Sequence, residues 1–172
     1  MCLIPPLDPE TVWAMAQRMT YRAEPFEHVV MADGVVVVAV DAEGRVALVR
    51  QNLPLHGEAV SVPGGMIEPG ESPLEAARRE LGEETGVVAE ALSPLGVFAP
   101  MPRSTQRLHV FEASGLTVGD PQLTQEEVEQ AMVVEWWPVE KAVEAVWDGL
   151  VQLSGSALAL LAYSARRPSL TA

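Results

Sequence analysis

The spacing of apolar and polar positions changes period several times along the chain. Val12, Met15, Ala16 and Met19 recur at i, i+3, i+4 and i+7, the repeat of one helix face. Asp8-Pro9 before them reads as an N-cap followed by proline at the first helical position. This predicts an amphipathic helix over residues 8–19, within an N-terminal extension covering 1–25. From Phe26 the apolar runs become short and β-branched. Phe26–Met31, Val35–Val40 and Val46–Gln51 are separated by Ala32-Asp33-Gly34 and by Asp41-Ala42-Glu43-Gly44, which predicts a strand meander. Leu53 to Glu58 reads as a loop, Ala59–Val62 as a strand, and the stretch from Pro63-Gly64-Gly65 to Pro69-Gly70 as a further loop.

The helical period returns after Ser72. That residue reads as an N-cap, with Pro73 at the first helical position and Glu75 at the capping-box spacing. The helix should run to about Thr85 and stop at Gly86, which suits the left-handed residue after a helix. Val87–Leu92, Leu95–Ala99, Leu108–Ala113 and Ala131–Trp137 read as strands, Gly115 to Gln125 as a loop, and residues 138–148 and 155–166 as two helices. Strands, helix, strands and helices in this order predict an α/β fold, a mixed sandwich in one domain over 1–172.

Composition narrows the chemistry. With 172 residues, 48% hydrophobic and 20% charged, the chain has the makeup of an ordinary globular domain. A net charge of −13 argues against nucleic acid, whose phosphates are held by Lys and Arg. A small anionic substrate is still compatible if a metal screens the repulsion. Cys2 is the only cysteine, so neither an intrachain disulfide nor a cysteine zinc cluster can form. No apolar run is long enough to span a bilayer, and Met1 to Leu7 lacks the basic start of a secretory signal, so no membrane partner and a cytoplasmic location are expected.

The chemistry concentrates in Gly65 to Glu71, followed seven residues later by Arg79-Glu80-Leu81-Gly82-Glu83-Glu84-Thr85-Gly86-Val87. On a helix starting near Pro73, Glu80, Glu83 and Glu84 fall within about a third of the circumference. Leu74, Ala77 and Leu81 lie beside them and can pack on a sheet. Carboxylates three and four apart repel one another and weaken the helix. Either they form a solvated acidic face, or a hard divalent cation offsets the repulsion; Mg²⁺ suits a site that also holds phosphate. Matched glycines, glutamates and arginine at these offsets arise from composition alone with probability on the order of 10⁻⁶.

The arrangement Gly65-x5-Glu71-x7-Arg79-Glu80-Leu81-x-Glu83-Glu84-x-Gly86-Val87 resembles the Nudix box at every defined position, over residues 65–87. The resemblance implies the Nudix α/β/α sandwich with a mixed sheet, and hydrolysis of a nucleoside diphosphate linked to another moiety with Mg²⁺ or Mn²⁺. It also implies residue roles. Glu83 and Glu84 would be the main metal ligands, and Glu80 a further ligand or a water-activating group. Arg79 would orient the glutamates, Glu71 would support the loop, and the carbonyl of Gly64 or Gly65 would complete the ligand set.

The flanks resemble the ADP-ribose and nucleoside-diphosphate-sugar pyrophosphatases. Arg50-Gln51 sits where that subgroup carries an Arg-Gln pair, and Pro102 with Arg103 lies near the position of its loop proline. The chain departs from the subgroup at Asn52-Leu53, where Tyr-Arg is common, and at Ser61-Val62-Pro63-Gly64-Gly65, where Glu-x-Pro-Ala-Gly is common. Pro102 reads equally as an ordinary loop proline. Arg50, Arg103 and Arg107 are candidates for substrate phosphates, although Arg103 and Arg107 also read as surface residues. Trp136, Trp137 and Phe98 are candidates for stacking on a base. A distal loop often supplies the base in the subgroup. Glu126, Glu127 and Glu129 lie in that region and also read as an acidic helix start; Glu127 is the single choice.

The expected activity is therefore Mg²⁺-dependent pyrophosphate hydrolysis of ADP-ribose or a related nucleoside diphosphate sugar. The alternatives are a (d)NTP pyrophosphatase and a non-catalytic nucleotide-binding module. The partner is a small nucleotide, and the resemblance adds a homodimer.

Overall fold

The computed structural model describes residues 19–167 except residue 25, and at residue 126 the backbone alone. The helix expected over 8–19 falls outside that range apart from Met19, which opens a strand instead. Among the described residues there are nine strands: β1 (Met19–Arg22), β2 (His28–Met31), β3 (Gly34–Ala39), β4 (Arg45–Leu53), β5 (Gly57–Ser61), β6 (Gly64–Met66), β7 (Val87–Phe98), β8 (Leu108–Val118) and β9 (Val133–Pro138). The helices among the described residues are α1 (Pro73–Thr85), α2 (Gln125–Glu129), α3 (Val139–Trp147) and α4 (Ser154–Ala165). No helix among the described residues is long and apolar enough to cross a membrane.

The strands form a β1–β2 ribbon, a four-stranded sheet ordered β6-β3-β8-β7 and a three-stranded sheet ordered β5-β4-β9. β3 runs parallel to β8, and the other pairs are antiparallel. Alternation along β3 supplies two cores at once. Val35, Val37 and Ala39 pack with Ala76, Ala77 and Leu81 of α1. Val38, with Val36 beside it, packs with Ala142 and Ala145 of α3 and Leu160 of α4. The result is an α/β/α sandwich, consistent with the mixed sandwich read from element order and with the arrangement the Nudix resemblance implies. Leu74, expected to pack on the sheet with Ala77 and Leu81, is 41% exposed.

Several boundaries differ from the sequence pattern for identifiable reasons. Gly64–Met66, read as loop, is a strand because its backbone pairs with Val36, Val35 and Gly34 of β3. The runs Val87–Leu92 and Leu95–Ala99 are one strand. Pro94 is accommodated because β7 lies at the sheet edge and the register shifts between Pro94 and Gly96. β8 continues to Val118, through the first part of the expected loop, because β7 partners it throughout. Trp136 packs on the α1 side and Trp137 on the α3–α4 side, as alternation requires.

Candidate active site

Local chemistry fixes both ends of α1. The Ser72 hydroxyl accepts from the Glu75 N–H while the Glu75 carboxylate accepts from the Ser72 N–H, closing the capping box. At the far end Gly86 takes φ 69° and its N–H reaches Gly82 O. The helix packs against β6 and β3, and so holds its glutamates over the Gly64-Gly65 backbone. The approach is close: a Cβ on Gly65 would meet the Glu80 carboxylate and displace it, and a Cβ on Gly64 would collide with the backbone of Val35 and Val36.

Arg79 organises the acidic groups. Its Nε donates to Glu71 Oε1 at 2.9 Å and its Nη2 to Glu71 Oε2 at 3.0 Å, a two-pronged pair. Nη1 donates to Glu80 Oε1 at 2.8 Å and to Glu83 Oε2 at 3.3 Å, and Nη2 also reaches Met66 O at 3.0 Å. Glu84 lies outside this fork. Its Oε2 accepts the Gly64 N–H at 2.8 Å, and the residue is only 5% exposed.

Electrostatics separates the carboxylates. The Arg79 guanidinium holds Glu71 below the ordinary carboxylate range. Burial pushes Glu80 up, against the pull of Arg79. Burial pushes Glu84 up to about 8; the Gly64 N–H opposes the rise, and the charges of Glu80, Glu127 and Glu83 add to it. Glu127, on α2, is thus close enough for its charge to act on both buried glutamates. Its Oε2 accepts from the Thr124 N–H at 2.6 Å and the Thr124 hydroxyl at 2.9 Å, and its own N–H reaches Thr124 Oγ1 at 3.3 Å.

The donor set suits a hard divalent cation. Carboxylate oxygens that burial and mutual repulsion leave short of stabilisation gain most from such an ion. Among the described residues no three acidic or imidazole side chains already converge on one point. Glu80 is turned to Arg79 and Glu84 to Gly64.

This arrangement predicts a pH dependence of stability in metal-chelating buffer. An unfolded glutamate ionises near 4.5, whereas folded Glu84 keeps its proton to about 8. Between those values the folded state binds more protons than the unfolded one, so stability falls as pH rises, by at most about 4 kcal/mol. Glu80, also raised, acts in the same direction. Thermal melts in EDTA should show Tm dropping from pH 5 to pH 8, and a flat or rising Tm would contradict the burial assigned to Glu84.

The other expected site residues lie in different surroundings. Arg50 donates to Glu135 through Nε at 2.8 Å and Nη2 at 3.1 Å, and to Glu58 through Nη1 at 2.9 Å. It lies over the Trp137 ring, on the sheet face away from α1. The structure therefore does not bring Arg50 to the glutamates, and its fork is filled by carboxylates rather than open to phosphate. Gln51, half-buried, alternates onto the α1 side. Pro102 and Arg103 lie in the β7–β8 loop, which is tied to β2 by the bond from Val29 N–H to Arg103 O. The Arg103 guanidinium reaches Glu27 O at 3.1 Å. Phe98 packs on the α3–α4 core.

Two clefts adjoin the box. One of about 790 Å³ lies between the β1–β2 ribbon and the box loop, touching Thr20, Asp33, Met66 and Glu71. The other, about 340 Å³, is lined by Glu84 together with Trp136, Met132 and Leu123. Trp136, a candidate from the sequence for stacking on a base, is one wall of the second cleft; Met132 and Leu123, which face the same space, were not foreseen.

Comparison with known proteins agrees with this geometry. The chain is 36% identical over 115 residues to a Bacillus subtilis (strain 168) protein named ADP-ribose pyrophosphatase, covering 64% of this chain and 62% of the relative. It is 30% identical over 139 residues to the CMP-5'-(N-acetyl-N-hydroxy-3-aminopropyl)phosphonate hydrolase of Streptomyces rubellomurinus, covering 78% and 66%. The matched stretches thus span less than two thirds of either relative's length. A solved structure described as an ADP compounds hydrolase superposes with a TM-score of 0.69 over 90% of this chain and 97% of that one; at 21% identity the likeness is one of fold. The model of the NUDIX domain matches residues 31–153, and with the box helix, its arginine clamp and its buried glutamates in place, the chain belongs to the Nudix family.

Proposed function

We propose that the protein hydrolyses the pyrophosphate bond of a nucleoside diphosphate linked to another moiety, with ADP-ribose or a related nucleoside diphosphate sugar as the substrate class. The observation that carries this reading is the pair of buried glutamates, Glu80 and Glu84, with raised proton affinity beside an arginine-clamped loop. The identity to the Bacillus subtilis relative supports the substrate class. Glu80, Glu83 and Glu84, with the Gly64 carbonyl, would hold Mg²⁺ or Mn²⁺. When bound, such an ion polarises a phosphoryl oxygen and lowers the pKa of water.

The chain's own groups do the rest. Arg79 keeps Glu80 and Glu83 on one side of α1 through Nη1 and fixes the loop through Glu71. The Gly64 N–H holds Glu84 Oε2 against the strand. Glu127 accepts the proton of the attacking water. Both cap bonds fall on its Oε2, so Oε1 is the oxygen outside the cap. Glu127→Gln keeps the size of the side chain but removes the basic oxygen. It should lower kcat about 100-fold or more with little change in Tm, within the range of general-base contributions. Unchanged turnover would move the base elsewhere.

The same reading includes one domain over 1–172, a cytoplasmic location and a homodimer. Support for pairing comes from exposed Met19 and Tyr21 on the two-stranded β1–β2 ribbon, since such a ribbon is marginal alone. The test of function is incubation with Mg²⁺ and separately Mn²⁺ against ADP-ribose, sugar nucleotides, dinucleoside polyphosphates and (d)NTPs, with products identified by mass. AMP plus ribose 5-phosphate is expected. Monophosphate plus pyrophosphate from triphosphates would replace the substrate class, and a 37% identity over 82 residues to a Bacillus subtilis putative 8-oxo-dGTP diphosphatase favours that as the second reading.

A further inference from the structure

We infer that the cleft beside Glu84, walled by Trp136, Met132, Leu123 and Val134, receives the heteroaromatic base of the substrate's nucleoside. The inference rests on the pyrophosphohydrolase reading for the position of the diphosphate. The cleft is contiguous with the candidate reaction centre, because Glu84 itself lines it. Its volume of about 340 Å³ falls at the lower end of small-molecule sites.

The lining decides which part of the substrate fits. No Lys, Arg or His contributes to it, so it does not attract phosphate. The Thr85 hydroxyl is committed to Leu81 O. Apart from Glu84, which the proposed function assigns to the cation, a ribose placed there would lose water from its hydroxyls without side-chain partners in return. A planar base has an apolar π-face that Trp136 and Met132 can cover, and backbone groups at Val118 and Gly119 border the cleft. Arg45, whose guanidinium lies 6.0 Å from the Trp136 ring centroid, is paired with Asp41 at 2.8 Å and so is not a free phosphate anchor.

The wall is built to stay in place. Gln122 N–H donates to Glu83 O at 2.7 Å and Gly119 N–H to Gly86 O at 2.8 Å, tying the 119–123 segment to the end of α1. Met132 is 6% exposed, and its N–H reaches Glu127 O at 3.0 Å, which joins the cleft to the helix carrying the proposed base.

Two measurements test the inference. First, adenosine, which carries no phosphate, is titrated in EDTA while the indole N–H resonances are followed, with Trp136→Phe used for assignment. A shift of the Trp136 resonance with adenosine and none with ribose is expected; no shift with adenosine, or an equal shift with ribose, overturns the inference. Second, Leu123→Trp, at the half-buried rim, fills the cleft without opening a cavity in the core. Its KM for ADP-ribose should rise about tenfold, the size of one base stacked on an aromatic ring, with the loss of kcat/KM carried by KM. A wild-type KM in a folded Leu123→Trp protein overturns the inference. Absence of turnover together with the adenosine shift would remove the pyrophosphohydrolase reading and leave the base cleft standing. Turnover without either effect would remove the cleft alone.

Discussion

Glu84→Gln is expected to lower kcat by about 100-fold or more while the protein stays folded. On the proposed function Glu84 is a ligating carboxylate at a phosphoryl-transfer centre, where such a group contributes several kcal/mol, and each 1.36 kcal/mol is tenfold in rate. The fold should persist because the substitution resembles a state the protein already favours. Burial pushes Glu84 up to about 8, so at neutral pH and without metal the side chain is largely protonated. A glutamine carbonyl can accept the Gly64 N–H as Oε2 does now. The metal-free variant should therefore melt at or above the wild-type temperature at pH 8, and the downward slope of Tm with pH should flatten. A kcat within threefold of wild type would place the reaction centre elsewhere. Loss of activity accompanied by loss of folding would instead make Glu84 structural.

Arg79→Lys is expected to have the largest effect on stability, about 2–4 kcal/mol. Arg79 makes five hydrogen bonds, four to the carboxylates of Glu71, Glu80 and Glu83 and one to Met66 O. A lysine ammonium is a point charge with three donors, and it cannot form the two-pronged bond to Glu71. Truncation of a buried pair commonly costs more, but the Arg79 side chain is 25% exposed, so water screens part of the loss. Tm should fall by about 5–15 °C, and activity should fall with it as Glu80 and Glu83 lose their fixed geometry. A Tm within about 1 °C of wild type would show that the carboxylates hold their places without the fork.

What the sequence could reveal follows the range of the interactions involved. The ends of α1 were readable because the Ser72–Glu75 capping box and the Gly86 stop involve residues within four positions of one another. The clustering of Glu80, Glu83 and Glu84 was readable for the same reason. β6 was not, since Gly64-Gly65-Met66 has no periodicity of its own and becomes a strand only through β3. The surroundings of Arg50 were equally out of reach. A conspicuous arginine on a strand suggests a phosphate ligand, but its main partner, Glu135, is 85 positions away. Glu127 lies between these cases. Its acidic helix was visible, while its influence on Glu80 and Glu84 depends on a loop returning to the end of α1.

The parallel pairing of β3 with β8 bears on how the protein reaches this state. Val35 lies opposite His109, so the whole box sits inside the connection that this pairing closes. Closing so long a connection carries an entropy cost that local contacts do not offset, which makes it a late event in folding. Before the strands behind α1 are in place, its glutamates are hydrated and repel one another only weakly, and the repulsion becomes costly as packing on β3, β6 and the later strands buries them. An ion that binds the finished cluster would then act chiefly on the rate of unfolding, and the catalytic centre would double as the latch that sets how long the folded molecule lasts.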